Sequence, residues 1–117
     1  MAETIRVGVN GAAGRMGQRV VALAHADPEL EVVAAVEAGT CSDLGRDAGE
    51  LAGIGTIGVV LQSELLEHVD VVIDFSTPAS LVGIAQACGE RQIRLVAATT
   101  GLSRAQHDEV LSAAQTT

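Results

Sequence analysis

Gly11, Gly14 and Gly17 follow the apolar run Ile5-Arg6-Val7-Gly8-Val9-Asn10 and precede a pattern in which Met16, Val20, Leu23 and Ala24 share one helical face. A strand that breaks into glycines and resumes as a helix leaves its first backbone N–H groups unpaired at the positive end of the helix dipole. The chemistry of such a place is anion binding, and a diphosphate fits it. Gly11 serves the sharp turn off the strand, Gly14 a close approach of backbone to phosphate, and Gly17 close packing of helix on sheet. The spacing is G-x-x-G-x-x-G rather than the usual G-x-G-x-x-G, with Ala13 in the place of the second glycine and Gly14 one residue later.

A second apolar run, Leu30 to Val36, ends at Glu37, twenty residues beyond Gly17. In dinucleotide-binding βαβ units an acid at that distance accepts hydrogen bonds from the adenosine ribose. The glycines alone already favour a phosphate site over a turn without a ligand, whereas Glu37 taken singly reads as a solvated loop acid. Turn, helix, second strand and terminal acid in this order point instead to a nucleotide site.

These residues need a parallel sheet to hold them. The pattern predicts a helix from about Gly14 to Ala26, stopped by Asp27-Pro28, and a strand over Leu30 to Val36. Six glycines between Gly39 and Gly58 predict a flexible surface segment, with room for a helical turn within Ser42 to Ala52. Val59-Val60-Leu61 reads as a short strand, Ser63 as the cap of a brief helix from Glu64 to His68, and Val69 to Phe75 as a buried strand. Asp74, Phe75, Ser76 and Thr77 at its carboxyl end are expected to face the ligand. Thr77-Pro78 starts a helix carrying Leu81, Val82, Ile84, Ala85 and Cys88 inward, with Gly89 as its left-handed cap. A strand over Arg94 to Ala98 and a capping box at Ser103-x-x-Gln106 complete the alternation. The expected fold is α/β, a doubly wound parallel sheet of the Rossmann dinucleotide-binding type in the order 3-2-1-4-5, filling residues 1–117 as one domain.

Composition agrees and excludes other classes. The chain is 48% hydrophobic with Phe75 its only aromatic residue, so the core is aliphatic, as suits a buried parallel sheet. A net charge of −8 argues against a nucleic-acid partner. No apolar run has the length of a membrane span, and the N-terminus lacks the regions of a signal peptide, so no membrane partner and a cytoplasmic location are expected. Cys41, Cys88, His25, His68 and His107 are scattered without metal-ligand spacing, which predicts no metal. Cys88 reads as a small buried hydrophobe and Cys41 as a loop residue.

Val9-x-Gly11-x-x-Gly14-Arg15-Met16-Gly17, the stretch Asp43 to Gly53, Asp74-Phe75-Ser76-Thr77-Pro78 and Thr99-Thr100-Gly101-Leu102 together resemble the 4-hydroxy-tetrahydrodipicolinate reductase family, over almost the whole chain and in order. The resemblance implies an NADH- or NADPH-dependent reductase of the diaminopimelate route to lysine. It implies that Gly11, Ala12, Ala13, Gly14, Arg15, Met16 and Gly17 cradle the diphosphate and that Glu37 holds the adenosine ribose. Phe75, Ser76, Ala98, Thr99 and Thr100 are implied on the nicotinamide side. The family's arginine after the acid is replaced here by Ala38. Glu37 repels a 2′-phosphate, so NADH is expected to bind at least as well as NADPH, although Arg15 and Arg46 are long enough to reach such a phosphate. The family's second domain carries E-x-H-H-x-x-K-x-D-x-P-S-G-T, which this chain lacks. It therefore reads as a cofactor domain without catalytic residues, monomeric although its full-length relatives are tetramers, and inactive by itself. A non-catalytic NAD(H)-sensing module and the N-terminal half of another dehydrogenase, such as homoserine or aspartate dehydrogenase, remain open on these residues.

Overall fold

The computed structural model describes residues 4–98, 103–106, 108 and 110. In chain order the elements are β1 (Ile5–Asn10), α1 (Arg15–Ala26), β2 (Leu30–Val36), α2 (Ala48–Leu51), β3 (Leu61–Gln62), β4 (Val71–Asp74), α3 (Pro78–Arg91) and β5 (Arg94–Ala97). The five strands form one sheet in the order β3-β2-β1-β4-β5, and every neighbouring pair is parallel. That is the doubly wound Rossmann-type order expected from the sequence, with the order reversing at β1 and β4.

Alternation along the strands separates two cores. Val7 and Val9 of β1 pack with Val21 of α1, Ala35 and Leu61 on one face. On the other, Ala34 and Val72 pack with Leu81, Ile84 and Cys88 of α3. A register shift between Val7 and Gly8 leaves Val33 unmatched on β2. Cys88 is buried as expected, and burial pushes its thiol up to about 11, with Asp74 adding to the rise and Arg91 opposing it. Cys41 lies half-buried against the α1-side core.

Three expectations are corrected. No helix forms over residues 64–68. Arginines take carbonyls that a helix here would otherwise use. Arg91 donates to Leu65 O and Glu67 O, each at 2.7 Å, and Arg6 Nε donates to His68 O at 2.8 Å. The segment after Gly39 is packed rather than a free surface loop. Ala48 is fully buried, and Leu44, Leu51, Ile57 and Val59 lie against the α1-side core. Asp47 organises it: Oδ1 accepts from the N–H groups of Gly49, Glu50 and Ile57, and Oδ2 from that of Gly58. These bonds, Ile57's first among them, hold the Asp47 carboxyl below its usual range against a smaller opposing effect of burial.

The third correction is the end of α3. Gly89 is buried inside the helix, and Gln92 takes the left-handed conformation at φ 55°. Ile93 N–H donates to Cys88 O at 2.8 Å and Gln92 N–H to Gly89 O at 3.3 Å, the paired closure of a Schellman motif. Buried Ile93, packed in the same core as Cys88, fixes the stop three residues later than glycine content suggests. Gln92→Gly is therefore expected to stabilise the fold by about 1 kcal/mol, because a side chain is strained where glycine is not. A higher urea midpoint with an unchanged slope is the result to look for.

Near the end of the chain, Ser103 and Gln106 make the predicted reciprocal cap. Ser103 N–H donates to Gln106 Oε1 at 2.9 Å and Gln106 N–H to Ser103 Oγ at 3.2 Å.

Candidate functional site

The turn between β1 and α1 is tied down by backbone bonds. Gly11 N–H and Ala12 N–H both donate to Val36 O, at 2.9 and 3.3 Å, and Gly14 N–H donates to Gly11 O at 3.0 Å. Gly11 has φ +83°, and a Cβ there would overlap the Phe75 carbonyl oxygen, so only glycine lets the turn cross the end of β4. At Gly17 a Cβ would overlap the Gly11 carbonyl, so the first turn of α1 rests directly on the loop. Ala12 is a core residue, fully buried beside Val9 and Val21, and contributes backbone rather than side chain to the loop's surface. Ala13 is half-buried, while Gly14, Arg15 and Met16 are exposed.

This leaves an open helix start. Gly14 is the N-cap of α1 without a side-chain bond, no acid lies in the first turn, and the N–H groups of Arg15, Met16 and Gly17 donate to no described residue. Unspent amides and dipole both favour an anion there. Glu37 stands beside it. Its Oε2 accepts from Ala13 N–H at 3.1 Å and its Oε1 from Ala38 N–H at 3.1 Å, which puts the carboxylate at the edge of the glycine turn.

The carboxyl ends of β1 and β4 meet over a buried polar cluster. Asn10 is 1% exposed and Asp74 0%. Asn10 Nδ2 lies 2.8 Å from Asp74 Oδ1, 3.1 Å from Ser80 Oγ and 3.2 Å from Ser76 Oγ, and Ser76 Oγ donates to Asp74 Oδ1 at 2.5 Å. Asp74 thus turns under the α3 face, in contrast to the ligand-facing position expected at a strand end. Phe75 and Ser76 are half-buried at the strand end. Phe75 N–H is held by Asn10 O at 3.0 Å, and Ala98 N–H by Asp74 O at 3.0 Å, which brings the end of β5 to the same rim. Thr99 and Thr100 lie outside the described residues. Asn10 and Ser80 were not singled out from the sequence. The available signal was an amide at the last position of an apolar strand.

Between the end of β2 and the start of α3 runs a cleft of about 660 Å³. Glu37 and Ala38 form one rim, the segment 63–66 another, and Asn10, Thr77 and Ser80 reach its floor. It has the size of a nucleotide-binding pocket. Among the described residues no group of three or more His, Cys, Asp or Glu is placed to hold a metal, and no helix is long and apolar enough to cross a membrane.

Residues 5–117 match the family described as "Dihydrodipicolinate reductase, N-terminus". The chain belongs to this family. It is 42% identical over 114 residues to the 4-hydroxy-tetrahydrodipicolinate reductase of Methylococcus capsulatus, covering 95% of this chain and 42% of that protein. To the enzyme of the same name from Acinetobacter baumannii strain AYE it is 44% identical over 113 residues, covering 94% and 41%. Among solved structures, the dipicolinate-bound dihydrodipicolinate reductase from Paenisporosarcina sp. TG-14 superposes with a TM-score of 0.68 at 25% identity, covering 95% of this chain and 43% of that one. An aspartate semialdehyde dehydrogenase from Candida albicans shares the fold, with a TM-score of 0.64 at 21% identity over 84% of this chain and 30% of that one. The chain therefore spans about two fifths of the length of the reductases it matches. Family membership favours the reductase reading over the sensing module and over other dehydrogenases.

Proposed function

We propose that this chain is the cofactor-holding part of an NAD(P)H-dependent 4-hydroxy-tetrahydrodipicolinate reductase of the diaminopimelate route to lysine, and that it binds the dinucleotide as a monomer. The observation that carries the reading is the uncapped start of α1, where three adjacent N–H groups are unspent beside a glycine turn that admits no side chain at Gly11. The diphosphate sits on the amides of Arg15, Met16 and Gly17, against Gly14 and Ala13. Glu37 takes the adenosine ribose. Phe75, Ser76 and Ala98, with Thr99 and Thr100, border the nicotinamide. A reduced nicotinamide bound there supplies a hydride, while this chain's residues bind and orient it. Gripping the substrate falls to the remainder of the full-length enzyme.

NADH is the better ligand. Glu37 and Glu64 both line the cleft, and no basic residue does so among those described. Arg46 is paired with Asp43 at 3.0 Å, and Arg15 lines a separate hollow with Arg19 and Leu23. Among the described residues no cation at the cleft offsets the repulsion between Glu37 and a 2′-phosphate. Calorimetric titration with both dinucleotides tests this. NADH is expected to bind at least as tightly as NADPH, and a ten-fold preference for NADPH, about 1.4 kcal/mol, reverses the assignment.

A further inference from the structure

Asn10 is buried, yet it reaches the floor of the cleft. Its amide nitrogen is committed to Asp74, Ser76 and Ser80. That commitment fixes the amide's orientation, since the flipped form would set Oδ1 against the Asp74 carboxylate. Oδ1 consequently faces away from these partners and accepts a hydrogen bond from no described residue. Ser80 is complementary. Its Oγ accepts from Asn10 at 3.1 Å, its N–H is held by the Thr77 N-cap oxygen at 3.3 Å, and its hydroxyl donates to no described residue. The cleft lining thus carries one unspent acceptor on Asn10 and one unspent donor on Ser80, both fixed by neighbouring bonds.

We propose that Asn10 Oδ1 and the Ser80 hydroxyl read the base of the bound dinucleotide, accepting from the 6-amino group of adenine and donating to an adjacent ring nitrogen. The inference rests on the cofactor reading above. A 6-aminopurine offers a donor flanked by an acceptor, the complement of this pair, and asparagine matches adenine in the same way when proteins read it in nucleic acids. A 6-oxopurine sets an acceptor against Oδ1 and leaves both groups poorly paired. The walls suit a flat ring: Val36, Leu65, Leu66 and Ile84 line the cleft around the pair, and Leu66, 67% exposed, gains a ligand face to cover. Glu37 at the rim stands where the attached ribose must be.

The test compares NADH with its hypoxanthine counterpart, in which the 6-amino group is replaced by oxygen, by titration on the unmodified chain and on Ser80→Ala. The variant keeps the Asn10 bonds to Asp74 and Ser76, and circular dichroism checks that it remains folded. The unmodified chain is expected to prefer NADH at least ten-fold, and Ser80→Ala to reduce that preference several-fold. Equal affinity for the two dinucleotides overturns the base-reading pair while leaving the cofactor assignment standing. A preference that survives intact in Ser80→Ala also overturns it, by giving the discrimination to other residues. Binding of neither dinucleotide to the unmodified chain removes the cofactor reading and the pair with it.

Discussion

Gly17→Ala is expected to destabilise the domain by about 2–3 kcal/mol, against the usual direction of the change. In an open helix, exchanging glycine for alanine gains up to about 1 kcal/mol, because alanine loses less backbone freedom on folding. Here the added methyl would overlap Gly11 O and C and press on the Ala12 Cα. Those are backbone atoms of a turn pinned to Val36 O by two hydrogen bonds, so they have nowhere to retreat. Relief requires either lifting α1, which withdraws Val21 from the core beside Val7 and Val9, or breaking the turn. Against a total stability of about 5–15 kcal/mol the loss is large. Urea unfolding measures it, and a variant as stable as the parent would show that α1 does not rest on the turn as described.

The same contact explains why part of the chain was legible in advance. Glycines three apart between a strand and an amphipathic helix mean something only if the helix begins on the turn, so Gly11 and Gly17 carry their geometry in their spacing. Strand order followed from the alternation of elements. The end of α3 is not written in the local sequence, because Gly89 is a plausible cap by type whereas burial of Ile93 decides where the helix stops. The segment 64–68 is hidden for a related reason. Its carbonyls are claimed by Arg91 and Arg6, far away in sequence, and no local pattern records that. Asn10 carries little local signal because its partners, Asp74, Ser76 and Ser80, come together only when β1 and β4 pair.

Gly14→Val should separate binding from folding at the remaining glycine. Gly14 has φ −74° and ψ 167°, an extended conformation that valine adopts readily. A Cβ there meets only Gly11 O, at 3.3 Å, which a small adjustment accommodates. Valine is a poorer N-cap than glycine, so a stability loss of about 1 kcal/mol is expected with a native-like far-UV spectrum. Binding is affected far more. The two methyl groups come beside the unspent N–H groups of Arg15 and Met16, where the proposed function puts the diphosphate. NADH affinity is expected to fall at least ten-fold, about 1.4 kcal/mol. Thermal shifts register the same change. Cofactor at a hundred times the parent's dissociation constant stabilises the parent by about 2.7 kcal/mol, and a ten-fold weaker variant at the same concentration by only about 1.4 kcal/mol. A folded Gly14→Val variant with the parent's affinity would move the diphosphate away from the start of α1, and Glu37 would lose its reading as the ribose acid along with it.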